Sequence, residues 1–210
     1  MAADTHARMI EAAIESLRRR GVAGMSFTDV LNASGAARGA IYHHFPGGKA
    51  QLVAAAAERN GRDVRARFAS LPAASPQHVV AAFLAAVRPV VEASTAGAGC
   101  AVAAVAIGSD GSNDGSNDSG ASQLAAAHAF TSWIEALASR LAAAGLAAGE
   151  ATDLAATLIT LLEGAHILCR AVGTLEPFDQ AARAATGLIR CRYPLAAAKP
   201  LSARPRSAST

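Results

Sequence analysis

The chain has 210 residues, a length that suits one or two compact domains with a buried core. Hydrophobic residues make up 52% and aromatics only 4%, so the apolar material is mainly Ala, Leu and Val, and alanine favours helices because it loses no side-chain entropy there. The net charge of +3 is unevenly spread: residues 1–70 carry a surplus of basic groups, residues 71–198 a surplus of acidic ones, and the last twelve add three basic groups. A basic head on an acidic body suits a polyanionic partner.

No uninterrupted apolar run reaches the roughly 18 residues that cross a bilayer, and Met1 to Arg20 alternates charged with apolar residues, unlike a signal peptide. A cytoplasmic protein with no membrane partner is expected. Cys100, Cys169 and Cys191 are an odd number at spacings that match no zinc or disulfide framework, so they read as free thiols.

The first helix carries Ile10, Ala13, Ile14 and Leu17 at helical spacing, with Asp4 or Thr5 to cap it and Gly21 to stop it. Ser26 opens a second, short helix, with Asp29 in the capping-box position, and Ser34-Gly35 ends it. A third begins near Ala37 and ends before Pro46, because proline disfavours a helical residue ahead of it. Further helices are predicted near 49–68, 77–94, 99–107, 121–144, 150–172 and 178–192, separated by Gly or Pro breaks.

The tract from Gly108 to Gly120 is low in complexity and reads as a flexible interhelical loop. Asp110, Ser112, Asp114 and Gly115 fall at calcium-loop positions one, three, five and six, but Ala121 stands where the bidentate glutamate belongs, so no calcium site is assigned. Residues 196–210 read as a disordered tail. The resulting division is 1–48 for the head and 49–195 for the body.

Residues 26–45 form two short helices joined by a turn at Ser34-Gly35-Ala36. Val30, Ala33, Ile41 and Phe45 are expected to face inward onto Ile14 and Leu17, which leaves Arg38, Gly39, Ala40, Tyr42 and His43 on the outer side of the third helix. Small residues beside an arginine let a helix sit close in the major groove, where a guanidinium bonds guanine O6 and N7. Tyr42, His43 and His44 are suited to phosphate oxygens, and Lys49 adds its ammonium at the start of a helix. The plainer reading is that Tyr42 and the histidines only cap a helical hairpin.

The segment GMSFTDVLNASGAARGAIYHHFPGGKAQL resembles the DNA-binding region of the TetR/AcrR repressors, through Phe27, Asp29, Val30, Gly35, Gly39, Ile41, Tyr42, His44, Phe45, Lys49 and Leu52. The resemblance implies an all-α protein: a three-helix helix-turn-helix domain, then a helical ligand-binding and dimerisation domain. It also implies that Ser26, Thr28, Tyr42, His43, His44 and Lys49 hold phosphates while Ala37, Arg38, Gly39 and Ala40 approach the bases of double-stranded operator DNA. GCAVAAVAI at 99–107, the Trp133 helix, LLEGAHILCRAVGTLEPF and the FPGGK turn resemble the LmrA/YxaF-like branch. Leu31 and Ala40 depart from the family pattern at positions that bear on base choice rather than fold.

The Ala- and Leu-rich body suits a small apolar or aromatic effector. Phe83, Val87, Cys100, Val105, His128, Trp133 and His166 are candidates to line its cavity, with ordinary core packing as the alternative for each. No metal or other cofactor is expected, since His128 and His166 lack the further ligands a metal needs. Leu154, Leu158, Leu161, Leu162 and Ala165 form a stripe at helical spacing. By the resemblance, the last two helices pair in a homodimer, and the stripe reads as that interface or as internal core.

Two other functions fit parts of the sequence. One is a cysteine enzyme with Cys100 as nucleophile and His128 or His166 as base, for which no oxyanion hole or orienting carboxylate stands at a telling spacing. The other is a helical small-molecule-binding or adaptor protein that never touches DNA, against which the outward Arg38, Tyr42, His43 and Lys49 argue.

Overall fold

The computed structural model describes residues 2–108 and 118–194; the predicted 108–120 loop lies largely outside the described residues, and the predicted 196–210 tail wholly so. Helices and turns account for the described residues, in the order α1 (Ala2–Gly24), α2 (Phe27–Ser34), α3 (Ala40–His44), α4 (Gly48–Ala69), α5 (Pro76–Thr95), α6 (Ala101–Gly108), α7 (Asp118–Ala143), α8 (Ala148–Val172) and α9 (Glu176–Arg192).

The N-terminal helices pack as the hydrophobic pattern dictates. Met9, Ala13, Ile14 and Leu17 of α1 are buried with Val30, Ile41 and Phe45 and with Leu52 and Val53 of α4. Gly21 interrupts α1 with φ 69°, a left-handed conformation that suits glycine, and the helix resumes to Gly24. The chain is already helical at Ala2, so Asp4 and Thr5 lie in the first turn and not at a cap. Ser26 caps α2 as predicted, its Oγ accepting from the Asp29 N–H at 3.1 Å. The Asp29 carboxylate turns away to pair with Arg20, which ties α2 to α1.

Two local expectations are corrected. Ala33 is exposed and Ser34 is buried instead, since Ser34 stands one full turn beyond Val30 and its Oγ donates to the Leu31 carbonyl at 3.2 Å. The third helix starts only at Ala40: Gly35, at φ 64°, turns the chain, and Ala37 to Gly39 complete the turn with the Ala40 N–H donating to the Ala37 carbonyl.

In the body, α4 lies along α7, and the approach is close enough that Gly61 is required. A Cβ there would stand 2.8 Å from the Ala129 Cβ. The Gly61 carbonyl accepts from Trp133 Nε1 at 2.8 Å, so the same contact fixes the largest buried side chain. Phe68, Phe83 and Phe130 complete an aromatic cluster, with ring centroids 5.4 Å apart for Phe68 and Phe83 and 5.1 Å for Phe130 and Trp133. Helices α5 and α8 are long and apolar enough to span a membrane by length and composition alone, at mean hydropathies of 1.2 and 1.4. Each buries one face in the bundle, Val79, Phe83, Val87 and Val91 from α5 and Ala155, Leu158, Leu162 and Cys169 from α8.

Candidate nucleic-acid interface and effector cavity

The ten predicted residues lie on α2 and its N-cap, the turn after it, α3 and the start of α4. Ser26, Thr28, Ala37, Arg38, Gly39, Tyr42 and His43 are exposed, and Ala40, His44 and Lys49 are half-buried. Tyr42 is 69% exposed although Phe27 touches its ring edge, at 6.5 Å between centroids, so its hydroxyl points away from an anchored ring. Arg38 and Gly39 precede α3 and lie in the turn, which presents the guanidinium ahead of the helix rather than along its side. Arg38 and Lys49 have no carboxylate partner among the described residues, whereas Arg19, Arg20 and Arg59 are all paired. His6, His43 and His44 cluster, with His44 5.6 Å from His6 and 5.0 Å from His43. Desolvation, then His43 and His6, hold the His44 pKa below its usual value, so near neutral pH His44 offers a hydrogen bond rather than a charge.

Of the seven predicted cavity residues, the structure brings Val87, Cys100, Trp133 and His166 around one partly open cavity of about 60 Å³. Phe83 and Val105 are buried in the core beside it and do not line it. His128 is a correction: it is exposed on the far face of α7 and lines a separate groove with Glu58, Arg62 and Arg65. Trp133, five residues on, points inward because five residues exceed one helical turn by more than a third of a revolution.

The cavity also contains side chains that the sequence reading passed over. Glu163, on α8, sits in the wall with its Oε1 buried and without a hydrogen-bond partner among the described residues. Burial pushes its pKa up to about 7, against which the neighbouring Cys100 thiol acts to lower it. Burial, then Glu163, push the Cys100 thiol well up, which keeps it protonated and is the reverse of what an activated nucleophile needs. His166 Nδ1 meets Ser94 Oγ at 2.7 Å, and burial, then the charge of Arg18, lower its pKa to about 4. A signal for this cluster was present: Glu163 is a lone acid in the run LITLLEGAHILC, three residues before His166 and therefore on the same helical face.

The predicted dimer stripe divides between two faces. Leu158, Leu162 and Ala165 are buried against the protomer's own core, and only Leu154 and Leu161 stay partly open. The outward apolar face is instead formed by Leu161, Leu168 and Val172 of α8 and Leu188 of α9, with Leu188 72% exposed. An apolar groove of about 530 Å³ runs between α8 and α9, lined in part by Leu154, Leu161, Ala185 and Leu188.

Residues 9–56 match the family described as bacterial regulatory proteins, tetR family, and residues 76–184 match the C-terminal domain of the LmrA/YxaF-like transcriptional regulators. An HTH-type transcriptional regulator of Mycobacterium tuberculosis strain H37Rv is 32% identical over 187 residues, covering 89% of this chain and 95% of the relative. The HTH-type regulator LmrA of Bacillus subtilis is 31% identical over 83 residues, which is 39% of this chain and 44% of LmrA. Among solved structures, a TetR transcriptional regulator from Chloroflexus aurantiacus superposes with a TM-score of 0.69 at 25% identity, covering 90% of this chain and 95% of the other. The reduced form of Escherichia coli NemR shares the fold at a TM-score of 0.67 and 20% identity, over 88% of this chain and 97% of that one. An N-terminal helix-turn-helix joined to a helical C-terminal domain, both matching in sequence and in fold, places this chain in the TetR family of transcriptional regulators, with a C-terminal domain of the LmrA/YxaF-like type.

Proposed function

We propose that the protein is a cytoplasmic homodimeric repressor that binds a palindromic operator and is released by a small effector. The observation that carries the DNA reading is Arg38 and Lys49, two cations without carboxylate partners among the described residues, flanking the exposed Tyr42 and His43 in the chain. Arg38 reads a base, Ala37, Gly39 and Ala40 allow close approach, and Ser26, Thr28, Tyr42, His43, His44 and Lys49 hold phosphates. The head comprises 1–48 and the body 49–195. Enzymatic activity and a membrane partner form no part of this reading.

The test is binding to duplexes selected from a random library by the protein itself. Arg38→Ala is expected to weaken the selected duplex by ~1 to 3 kcal/mol and to relax one base pair per half-site. Lys49→Ala is expected to weaken all duplexes alike and to flatten the salt dependence by roughly one unit per subunit. Equal losses for Arg38→Ala on every sequence would make it a phosphate contact, and failure to select any duplex would end the DNA reading.

The dimer is assigned to the outward face of α8 and α9 around Leu161, Leu168, Val172 and Leu188. A two-fold axis there would set the two reading heads about one DNA turn apart, ~34 Å. Leu188→Arg is expected to give a folded monomer, because the new guanidinium is hydrated in the monomer and stranded in the interface. An unchanged dimer mass in sedimentation, with unaltered helicity, would move the interface elsewhere.

A further inference from the structure

The cavity adjoins a second groove of about 570 Å³, and the two share the residues Arg18, Gly99, Cys100, Glu163 and His166. This shared wall is also where the DNA-binding head is fastened to the body. The Gly99 N–H donates to the Arg18 carbonyl at 2.8 Å, and Arg18 Nε donates back to the Gly99 carbonyl at 3.3 Å, so α1 and the start of α6 are clasped across it. A cavity of about 60 Å³ holds a few waters. It is far below the ~300 Å³ at which pockets take drug-sized molecules, so an effector must push the wall outward.

The wall's polar groups specify what enters. Glu163 is the one carboxylate lining the cavity among the described residues, and its buried Oε1 lacks a donor. Asn60 of α4 also lines the cavity and Arg170 of α8 lines the adjoining groove, and neither makes a hydrogen bond or ion pair to Glu163 among the described residues. From α8, His166 is engaged by Ser94 of α5. From α1, Arg18 bonds the Gly99 carbonyl through Nε. Ahead of α6, the Cys100 thiol hydrogen-bonds the carboxyl but leaves Oε1 without a partner, and from α4, Arg67 is an exposed side chain at the rim. A buried acceptor with no donor is costly until a donor arrives, and a cation is the donor that restores its ionised form. Phe68, Val87, Trp133 and Leu162 supply the apolar surface for the rest of the molecule.

We infer that the effector is a small amine with an apolar or aromatic body, and that Glu163 receives its ammonium head in the wall that carries the Arg18–Gly99 clasp. This inference rests on the effector reading of the cavity given above. The ammonium arrives in the wall that Arg18 and Gly99 also form, and moving that wall outward to admit the amine loosens the clasp and frees α1, and with it the reading head, to shift. The amine thus favours the state with the clasp open, which is the differential affinity that release requires.

The test uses the full chain, a series of primary amines from benzylamine to 4-phenylbutylamine, and for each an uncharged hydrocarbon of matching length, with binding measured by calorimetry and duplex release by anisotropy. An amine of the series is expected to bind more tightly than its hydrocarbon. Glu163→Gln is expected to weaken that amine by about tenfold or more while leaving the hydrocarbon unchanged, since one charge-assisted bond is lost from an otherwise intact cavity. Arg18→Met is expected to bind the amine at least as tightly, with the amine now releasing the selected duplex less effectively. Equal binding of amine and hydrocarbon, or indifference to Glu163→Gln, overturns the inference. Hydrocarbons that bind and release the duplex without an amine preference would leave the effector cavity standing and remove only the amine, whereas no binding by either series would remove the cavity as an effector site as well.

Discussion

Trp133→Ala is expected to destabilise the protein by ~3 to 5 kcal/mol, the usual cost of emptying a buried aromatic site. Trp133 is 2% exposed, its ring meets Phe68 and Phe130, and its Nε1 donates to the Gly61 carbonyl. The substitution removes the apolar contacts of an indole and leaves that carbonyl without its donor. The site has little freedom to collapse, because α4 and α7 already touch at Gly61 and Ala129, where even a methyl group would clash. Set against the ~5 to 15 kcal/mol by which such domains are stable, the loss is a large fraction of the whole. Trp133→Phe retains most of the ring and loses the hydrogen bond, so it should cost less than half as much. Urea midpoints followed by far-ultraviolet circular dichroism measure both, and a Trp133→Ala midpoint close to that of the parent would show that the α4–α7 contact does not depend on the indole.

The helices were legible in the sequence because their ends are chemically marked. Ser26 before α2, Gly35 after it, Ser75-Pro76 at the start of α5 and Gly173 after α8 each act where the residue type suggests. The third helix was placed too early since five residues are little more than one turn, too few for a hydrophobic period to fix the start. Elsewhere the difficulty was phase. In α7 alanines occupy most faces, so the periodicity does not say which side is inward, and His128 and Trp133 point apart although the sequence places both on one apolar helix. In α8, Leu154, Leu158 and Leu162 follow one row and Leu154, Leu161 and Leu168 another. Both are apolar, so sequence spacing alone does not separate core from outer face. The exposure of the proposed DNA-contacting residues is easier to read, since an arginine and a lysine without nearby acids, beside small residues and a tyrosine, have few structural reasons to be there. Glu163 is harder to read, because its burial and its contact with Cys100 depend on segments far away in the chain.

That cluster sets a pH signature that single substitutions should expose. The pKa of His166 falls from the ordinary 6.5 to about 4 in the folded state, so between those values the unfolded chain binds more protons and stability rises with pH. The Glu163 pKa moves the other way, from 4.5 to about 7, so the folded chain holds the extra proton; that contribution is complete below pH 4.5 and is lost as pH rises through 7. Burial is the first cause of both shifts, and neither residue is among the causes acting on the other, so the two contributions add. Between pH 4.5 and 6.5 their slopes oppose, and the parent protein should show little net pH dependence from this wall. Glu163→Gln removes one slope. Its stability relative to the parent should climb as pH rises from 4.5 to 7, by up to ~3 kcal/mol at ~1.4 kcal/mol per pH unit. His166→Gln removes the other, and its stability relative to the parent should climb as pH falls from 6.5 toward 4, by a similar amount. Urea midpoints at half-unit pH steps give both differences, and because each is taken against the parent at the same pH, the titration of all other carboxylates and histidines cancels. A difference that stays flat with pH for Glu163→Gln would mean that the carboxyl is hydrated in solution, and the buried acceptor on which effector recognition rests would be gone.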